Sequence, residues 1–190
     1  SVVAPAVRRG WRHVLSRFPG GKGLPPEDKR PPARAHLKLS EALLHLGRAP
    51  RSGESCVDLG SAPGSWAWVA LQRGAAVTAV DRSPLRDDLM AHPRLTFVRG
   101  DAFKFAPAAP VDWLVCDIIA FPERSIELLD RWLAEGWCKR FVVTLKFKGD
   151  ADYPKVDACK AVLAARGARF GMRQLYNNKN EVTVYGAART

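Results

Sequence analysis

Helical and strand-like patterns of apolar residues alternate along the chain from His36 onward. Short apolar runs predict strands at 55–59, 76–80, 95–98, 112–117, 140–146, 169–176 and 180–186. Apolar positions spaced three and four apart predict helices at 36–47, 64–74, 84–91, 122–135 and 153–166. Strands that alternate with helices are typical of an α/β fold, in which helices cover both faces of a mostly parallel sheet.

The last two predicted strands are joined differently from the others. The link Asn177-Asn178-Lys179-Asn180 is rich in turn-forming residues and too short to hold a crossover helix. These strands should therefore be antiparallel to each other. The sequence predicts a seven-stranded, mostly parallel sheet with an antiparallel last strand, and six strands running in one direction.

The strand at 55–59 leads into a loop of small residues, followed by a helix with Pro63 in its first turn. In open α/β sheets ligands bind at the carboxyl ends of strands, where a glycine turn lets the backbone approach them. Gly60 and Gly64 do not complete the three-glycine pattern of dinucleotide-binding proteins. An adenosine-type ligand without phosphates therefore fits this loop better than a nicotinamide dinucleotide.

Four predicted strands end at or near an aspartate: Asp58, Asp81, Asp101 and Asp117. Asp81 follows the second strand, where an acid accepts hydrogen bonds from ribose hydroxyls of a bound nucleoside. Asp101 follows the third strand and could accept from the exocyclic amine of adenine. A single aspartate here would be explained as a turn or helix-cap residue. Its repetition at successive strand ends favours a ligand site.

Two lysines and two acids also stand at the ends of predicted elements: Lys38, Asp117, Lys146 and Glu181. Asp117 and Lys146 end the fourth and fifth strands, which are neighbours in a doubly wound sheet. A lysine that faces a second lysine in a half-desolvated cleft should favour its neutral form and could take a proton. Each residue alone also has a purely structural explanation, such as a lysine extending from a strand end.

Together with the loop Val57–Trp66, these four residues resemble the FtsJ-type ribose 2′-O-methyltransferases. Within that family the chain most resembles enzymes that methylate large-subunit ribosomal RNA. The resemblance extends over about residues 36 to 186 and includes Leu37–Ala42, Asp101–Phe105, Trp113–Asp117, Gly136–Cys138, Leu145-Lys146, Arg173–Tyr176 and Glu181–Val184. Ser65 departs from the family, which usually has glycine there.

The resemblance implies a Rossmann-like class I methyltransferase fold that uses S-adenosyl-L-methionine, releases S-adenosyl-L-homocysteine and needs no metal. Lys146 would deprotonate or polarise a ribose hydroxyl with help from Asp117, while Lys38 and Glu181 tune charge and position the ribose. The implied cofactor-binding residues are Asp58, Gly60, Ser61, Ala62, Pro63, Gly64, Ser65, Trp66, Asp81, Asp101, Ala102 and Asp117.

The charge balance is strongly basic and favours RNA as a partner. The 190 residues include 30 Lys and Arg against 19 Asp and Glu, a net charge of +11, which attracts polyanions. Residues 1–35 hold eight basic and two acidic side chains and are predicted to form a basic N-terminal arm, with 36–190 as the catalytic domain. Within the arm, Trp11, Val14, Leu15 and Phe18 have the spacing of a short amphipathic helix.

The spacing of cysteines and histidines and the hydropathy of the chain argue against a metalloprotein and against a membrane-spanning protein. The four cysteines and four histidines are widely scattered, which argues against a metal site and favours reduced core cysteines. No apolar run is long enough to cross a membrane, so we expect a cytoplasmic protein. The resemblance implies a role in ribosomal RNA processing. A methyltransferase of a base or small molecule and a catalytically inactive RNA-binding protein of the same fold stay open as alternatives.

Overall fold

A seven-stranded sheet with helices on both faces forms the body of the protein, as seen in a computed structural model that describes residues 30–149 and 152–189. The strands are β1 (Ser55–Leu59), β2 (Ala76–Asp81), β3 (Leu95–Arg99), β4 (Val111–Cys116), β5 (Cys138–Lys146), β6 (Arg169–Arg173) and β7 (Glu181–Ala187). The helices are α1 (His36–Leu46), α2 (Ser65–Gln72), α3 (Asp87–Met90), α4 (Pro122–Ala134) and α5 (Lys155–Ala165). Most of the predicted arm, including its helix, lies outside the described residues.

The strands are ordered β3-β2-β1-β4-β5-β7-β6 across the sheet. Only β7 runs against the other strands, and it pairs antiparallel with both β5 and β6. The predicted α/β class, the number of strands and the antiparallel last strand are therefore confirmed. The order reverses between β1 and β4, and ligands of open α/β sheets bind at such a reversal.

Two apolar clusters, one on each face of the sheet, form the core. Leu39 of α1 and Trp66 of α2 belong to one cluster, and Trp132 of α4 and Leu163 of α5 belong to the other. The central strands are buried on both faces, which explains their nearly continuous apolar sequences. All four cysteines are free and buried, as predicted, and burial raises the pKa of the Cys116 thiol to about 12.

Three differences between predicted and observed elements stand out, and the other boundaries agree within two residues. The second helix begins at Ser65, so Pro63 lies in the preceding loop, after a cis Ala62–Pro63 bond. The helix predicted at 84–91 is only Asp87–Met90, because Arg86 N instead donates a hydrogen bond to Pro63 O. The strand predicted at 169–176 ends at Arg173.

Candidate active site

The structure brings together the four charged residues that the sequence placed at element ends. Lys38 lies in the first turn of α1, Asp117 directly follows β4, Lys146 ends β5 and Glu181 begins β7. β4, β5 and β7 are consecutive neighbours in the sheet, so the three strand residues lie at one rim. The site combines elements that are up to 143 positions apart in the chain.

The four side chains form a closed cluster in which each amine contacts both carboxylates. Lys38 Nζ lies 2.6 Å from Asp117 Oδ2 and 3.0 Å from Glu181 Oε1. Lys146 Nζ lies 2.8 Å from Asp117 Oδ1 and 3.4 Å from Glu181 Oε2. Two positive and two negative charges therefore alternate within the cluster and compensate one another at a largely buried position.

The expectation that Lys146 is neutral in this cleft is wrong. Burial lowers its pKa, but the Asp117 and Glu181 carboxylates raise it by more, so the net pKa of Lys146 is above its usual value. The sequence argument considered the repulsion between two lysines, whereas the structure places a carboxylate on each side of both amines. Lys146 is therefore an ammonium at neutral pH in the protein without bound substrates.

An open cavity of about 780 Å³ adjoins the cluster. Lys38, Lys146 and Glu181 line it, and Lys146 is the most exposed member of the cluster, with 20% of its side chain accessible. The remaining wall combines basic and amide side chains with apolar ones, and comprises Arg34, Ala35, Ile119, Phe147, Tyr176, Asn177, Asn178, Lys179 and Asn180. A polar, anionic substrate could thus approach the amine of Lys146 from solvent.

Hydrogen bonds to neighbouring elements hold α1, and with it Lys38, at the rim of the sheet. Trp66 Nε1 donates to Ala35 O at 2.9 Å, and Ser65 Oγ donates to Ala33 O at 3.2 Å. Trp66 is only 3% exposed and packs in the core. These two residues therefore support the position of α1. Neither lines this large cavity or a smaller cavity at the carboxyl ends of β1 and β2.

Glu41, one turn after Lys38, links α1 to the segment between β6 and β7. Its Oε2 accepts a hydrogen bond from the backbone N–H of Tyr176 at 3.0 Å. This bond turns the chain toward α1 after Arg173, which accounts for the early end of β6. It also places Tyr176, 59% exposed, in the wall of the larger cavity.

A second cavity, of about 260 Å³, lies at the carboxyl ends of β1, β2 and the segment after β3. Four of the predicted cofactor-binding residues line it: Gly60, Asp81, Asp101 and Ala102. Sequence reasoning missed the others, which are Arg82, Gly100, Phe103, Ile118, Ile119 and Arg124. Ile119 lines both cavities and is 90% exposed, so the two cavities meet at this side chain.

Backbone and side-chain donors hold the two acids of the smaller cavity. Asp81 accepts from Ala62 N through Oδ2 at 3.0 Å and from Ser83 N through Oδ1 at 2.9 Å. Asp101 accepts from Phe103 N and Arg82 Nη2, each at 2.9 Å. A carboxylate oxygen has two lone pairs, so both acids keep capacity to accept from a ligand hydroxyl or amine.

Gly60 is required by both conformation and space. Its φ is +71°, and an added Cβ would lie 2.3 Å from Ile118 Cγ1. The backbone therefore approaches the wall of the smaller cavity more closely than any other residue would permit.

Asp58 lies beneath the loop and lines neither cavity. It is 1% exposed, and its Oδ2 accepts a hydrogen bond from Ser61 Oγ at 2.6 Å. Burial raises the pKa of Asp58 to about 7, although the Ser61 hydroxyl opposes the shift. Asp58 and Ser61 thus support the loop from its buried side. Pro63 and Gly64 also line neither cavity.

The smaller cavity suits a nucleoside by the chemistry of its lining. Two carboxylates can accept from ribose hydroxyls and an adenine amine, while Ala102, Phe103 and Ile118 offer apolar contact to a base. Its position beside Gly60, at the reversal of strand order, is where such folds bind nucleoside ligands. These residues therefore fit the nucleoside part of S-adenosylmethionine.

The strand order, with β7 as the single antiparallel strand of the sheet, gives a Rossmann-like fold. The FtsJ-like methyltransferase family matches residues 32–163. The chain belongs to this family.

Curated relatives are similar over most of the chain. "Ribosomal RNA large subunit methyltransferase M" of Azoarcus sp. (strain BH72) is 38% identical over 165 residues, which cover 81% of this chain and 45% of that protein. The protein of the same name from Alkalilimnicola ehrlichii is 39% identical over 187 residues, covering 90% of this chain and 52% of that protein. The chain thus spans about half the length of these relatives.

Solved structures share the fold at low sequence identity. The fibrillarin pre-rRNA processing protein of Methanococcus jannaschii has a TM-score of 0.62 at 18% identity, covering 79% of this chain and 74% of that one. A Burkholderia thailandensis N1-methyltransferase, solved with S-adenosylhomocysteine, has a TM-score of 0.58 at 18% identity, covering 83% and 78%. Both support the Rossmann-like methyltransferase fold.

Residues 30–149 and 152–189 contain neither a membrane-spanning helix nor a cluster of metal-binding side chains. No helix in these ranges is long and apolar enough to cross a membrane. No group of three or more His, Cys, Asp or Glu side chains is arranged to hold a metal ion there.

Proposed function

We propose that this protein transfers a methyl group from S-adenosylmethionine to a ribose 2′-hydroxyl of RNA, and that the RNA is ribosomal. The observation that carries the proposal is the cluster of Lys38, Asp117, Lys146 and Glu181. The cluster adjoins the larger cavity, which shares Ile119 with the smaller one. The names of the similar proteins favour ribosomal RNA as the substrate.

Asp81 and Asp101 would bind the ribose and adenine of the cofactor in the smaller cavity, with the backbone at Gly60 against its middle. S-adenosylmethionine supplies a methyl group on a positively charged sulfur, which is a good leaving group. The acceptor ribose would occupy the larger cavity, with its 2′-hydroxyl near Lys146 Nζ. Alignment of the acceptor with the methyl group then provides much of the acceleration.

Lys146 is the group we assign to the proton of the 2′-hydroxyl. As the oxygen gains the methyl group, its proton passes to Lys146 Nζ, which must be neutral at that moment. Asp117 and Glu181 hold this amine in place and raise its pKa, whereas a cationic cofactor nearby lowers it. Lys38 compensates only one of the two carboxylates once Lys146 is neutral, so the cluster then carries a net charge of −1, which the positive charge of the cofactor would offset.

The test is transfer of radiolabel from methyl-labelled S-adenosylmethionine to bulk ribosomal RNA. Nuclease digestion and mass spectrometry should then identify a 2′-O-methylated nucleoside. Lys146→Ala should reduce transfer by about 100-fold or more and retain the affinity for S-adenosylhomocysteine. Lys160→Ala, on the exposed side of α5, is the matched control. Base methylation in the digest, or full activity of Lys146→Ala, would contradict the proposal.

A further inference from the structure

A third cavity lies at the rim of the sheet opposite the charged cluster. It has a volume of about 450 Å³ and is lined by His45, Leu46, Arg48, Arg140, Arg169, Phe170, Gly171, Tyr185 and Ala187. Three arginines from three separate parts of the chain therefore surround one space. Neither the proposed cofactor site nor the proposed methyl-acceptor site includes any of these residues.

Sheet register explains why the arginines converge. Arg140 of β5 and Arg169 of β6 are both the register partners of Ala187 on β7. Partners directly opposite each other across strands point to the same face of a sheet. The two guanidinium groups thus flank a small alanine side chain. Arg48 joins them from the loop after Gly47, which ends α1 before the helix can cover this position.

The charge of the cavity is not neutralised within the described part of the chain. Arg48 and Arg140 share one carboxylate, that of Glu54. The side chain of Arg169 is exposed and has no ion pair or hydrogen bond to any residue among 30–149 and 152–189. Donors are therefore available for an anion, and guanidinium groups suit phosphate oxygens.

The arginine cavity and the charged cluster lie on the same face of the sheet. Arg140 and Lys146 are six residues apart on β5, an even number, so their side chains point to the same side. The separation along the strand is about 20 Å. Helix α1 extends between the two sites, with Lys38 near its start and His45 near its end. A single RNA strand of several nucleotides could contact both.

We propose that Arg48, Arg140 and Arg169 bind a backbone phosphate of the RNA strand whose target ribose lies at the charged cluster. The choice of RNA as the source of the phosphate rests on the proposed function. A free nucleotide carries the same chemistry and is the competing source. The basic residues 1–29, with six Lys and Arg against two acids, have the wrong charge to fill this cavity.

Direct binding measurements test the proposal without any methyl transfer. A fluorescent, unstructured 12-nucleotide RNA is titrated with the protein by anisotropy, over a series of salt concentrations, in the Lys146→Ala background. Arg169→Glu should weaken binding about 10-fold and reduce the slope of log K against log salt. Lys160→Glu makes the same change of charge on α5 and should alter affinity less than about 2-fold. Unchanged binding of S-adenosylhomocysteine confirms that each variant is folded.

Two results would overturn the proposal. In the first, Arg169→Glu and Lys160→Glu have equal effects on RNA affinity, which would indicate only general charge attraction. In the second, adenosine monophosphate raises the Tm of the parent protein and not of Arg169→Glu, while both bind RNA equally. The cavity would then hold a small phosphate ligand. Because binding is measured directly, absence of methyl transfer would count against the proposed function alone.

Discussion

Lys146 and Glu181 are register partners across the antiparallel pair β5 and β7, and their charged atoms lie 3.4 Å apart. A strand that runs against its neighbour brings its first residue to the last residue of that neighbour. The reversed strand therefore delivers an acid to the rim where the parallel strands end. This relationship raises the pKa of Lys146 and underlies the first prediction.

Glu181→Gln should shift the pH dependence of methyl transfer to lower pH. The neutral fraction of Lys146 increases as pH rises through its pKa, so the rate should increase with pH in the parent protein. The substitution removes one carboxylate that raises the pKa of Lys146, so the increase in rate, the rising limb of the pH profile, should occur at lower pH than in the parent protein. Single-turnover rates against pH measure it. Glu123→Gln, at an exposed pair with Lys155, should leave the limb in place.

Asp58→Asn should change how stability depends on pH. Because burial in the folded protein raises the pKa of Asp58 from its usual value of 3.8 to about 7, the folded state holds this proton more tightly than the unfolded state. The contribution is complete below about pH 4 and is lost as pH rises to about 7. The variant should therefore gain stability relative to the parent as pH rises from about 4 to about 7.

Thermal or urea unfolding at several pH values tests the Asp58 prediction. The expected change is at most about 1.4 kcal/mol per pH unit. Asp112→Asn is the opposite control, because hydrogen bonds from Lys139 and Ser55 lower the pKa of Asp112. Relative to the parent protein, that variant should lose stability as pH rises from 3 to 5. Parallel pH profiles for Asp58→Asn and the parent would contradict the raised pKa.

Gly60→Ala should weaken cofactor binding. The new Cβ would meet Ile118 Cγ1 at 2.3 Å in a left-handed backbone conformation, so the loop must move away from its position. We expect roughly a 10-fold or greater loss of affinity for S-adenosylhomocysteine in calorimetry. Gly53→Ala has a similar φ of +82° with no atom within 4 Å of the new Cβ. This control variant therefore shows the effect of backbone strain without a steric collision.

Trp66→Phe should destabilise the protein and slow methyl transfer together. The change removes the hydrogen bond from the indole to Ala35 O, which then keeps only the bond from Lys38 N, at a cost of about 0.5–1.5 kcal/mol. Because this bond holds the start of α1, Lys38 should also lose its fixed position. Urea unfolding and initial rates measure the two effects. Normal activity at full stability would contradict the role assigned to Trp66.

Local sequence patterns predicted most elements because each apolar run needs a covered face, whatever its neighbours are. The errors occur where a long-range hydrogen bond decides a boundary. Tyr176 N donates to Glu41, 135 positions away, and the strand pattern continues past the point where this bond ends β6. Ile119 was missed for a related reason, since an isoleucine after a strand has no pattern that indicates an exposed position between two cavities.

The sequence by itself determined the α/β class, the small-residue loop and which charged residues stand at element ends, because these follow from periodicity and turn chemistry. Only the tertiary structure decided that Asp117 and Glu181 flank both lysines, and hence that Lys146 is held as an ammonium. It also decided that Arg140 and Arg169 flank Ala187. Such outcomes depend on strand order and register, which position a charge within a few ångströms of residues far away in the chain.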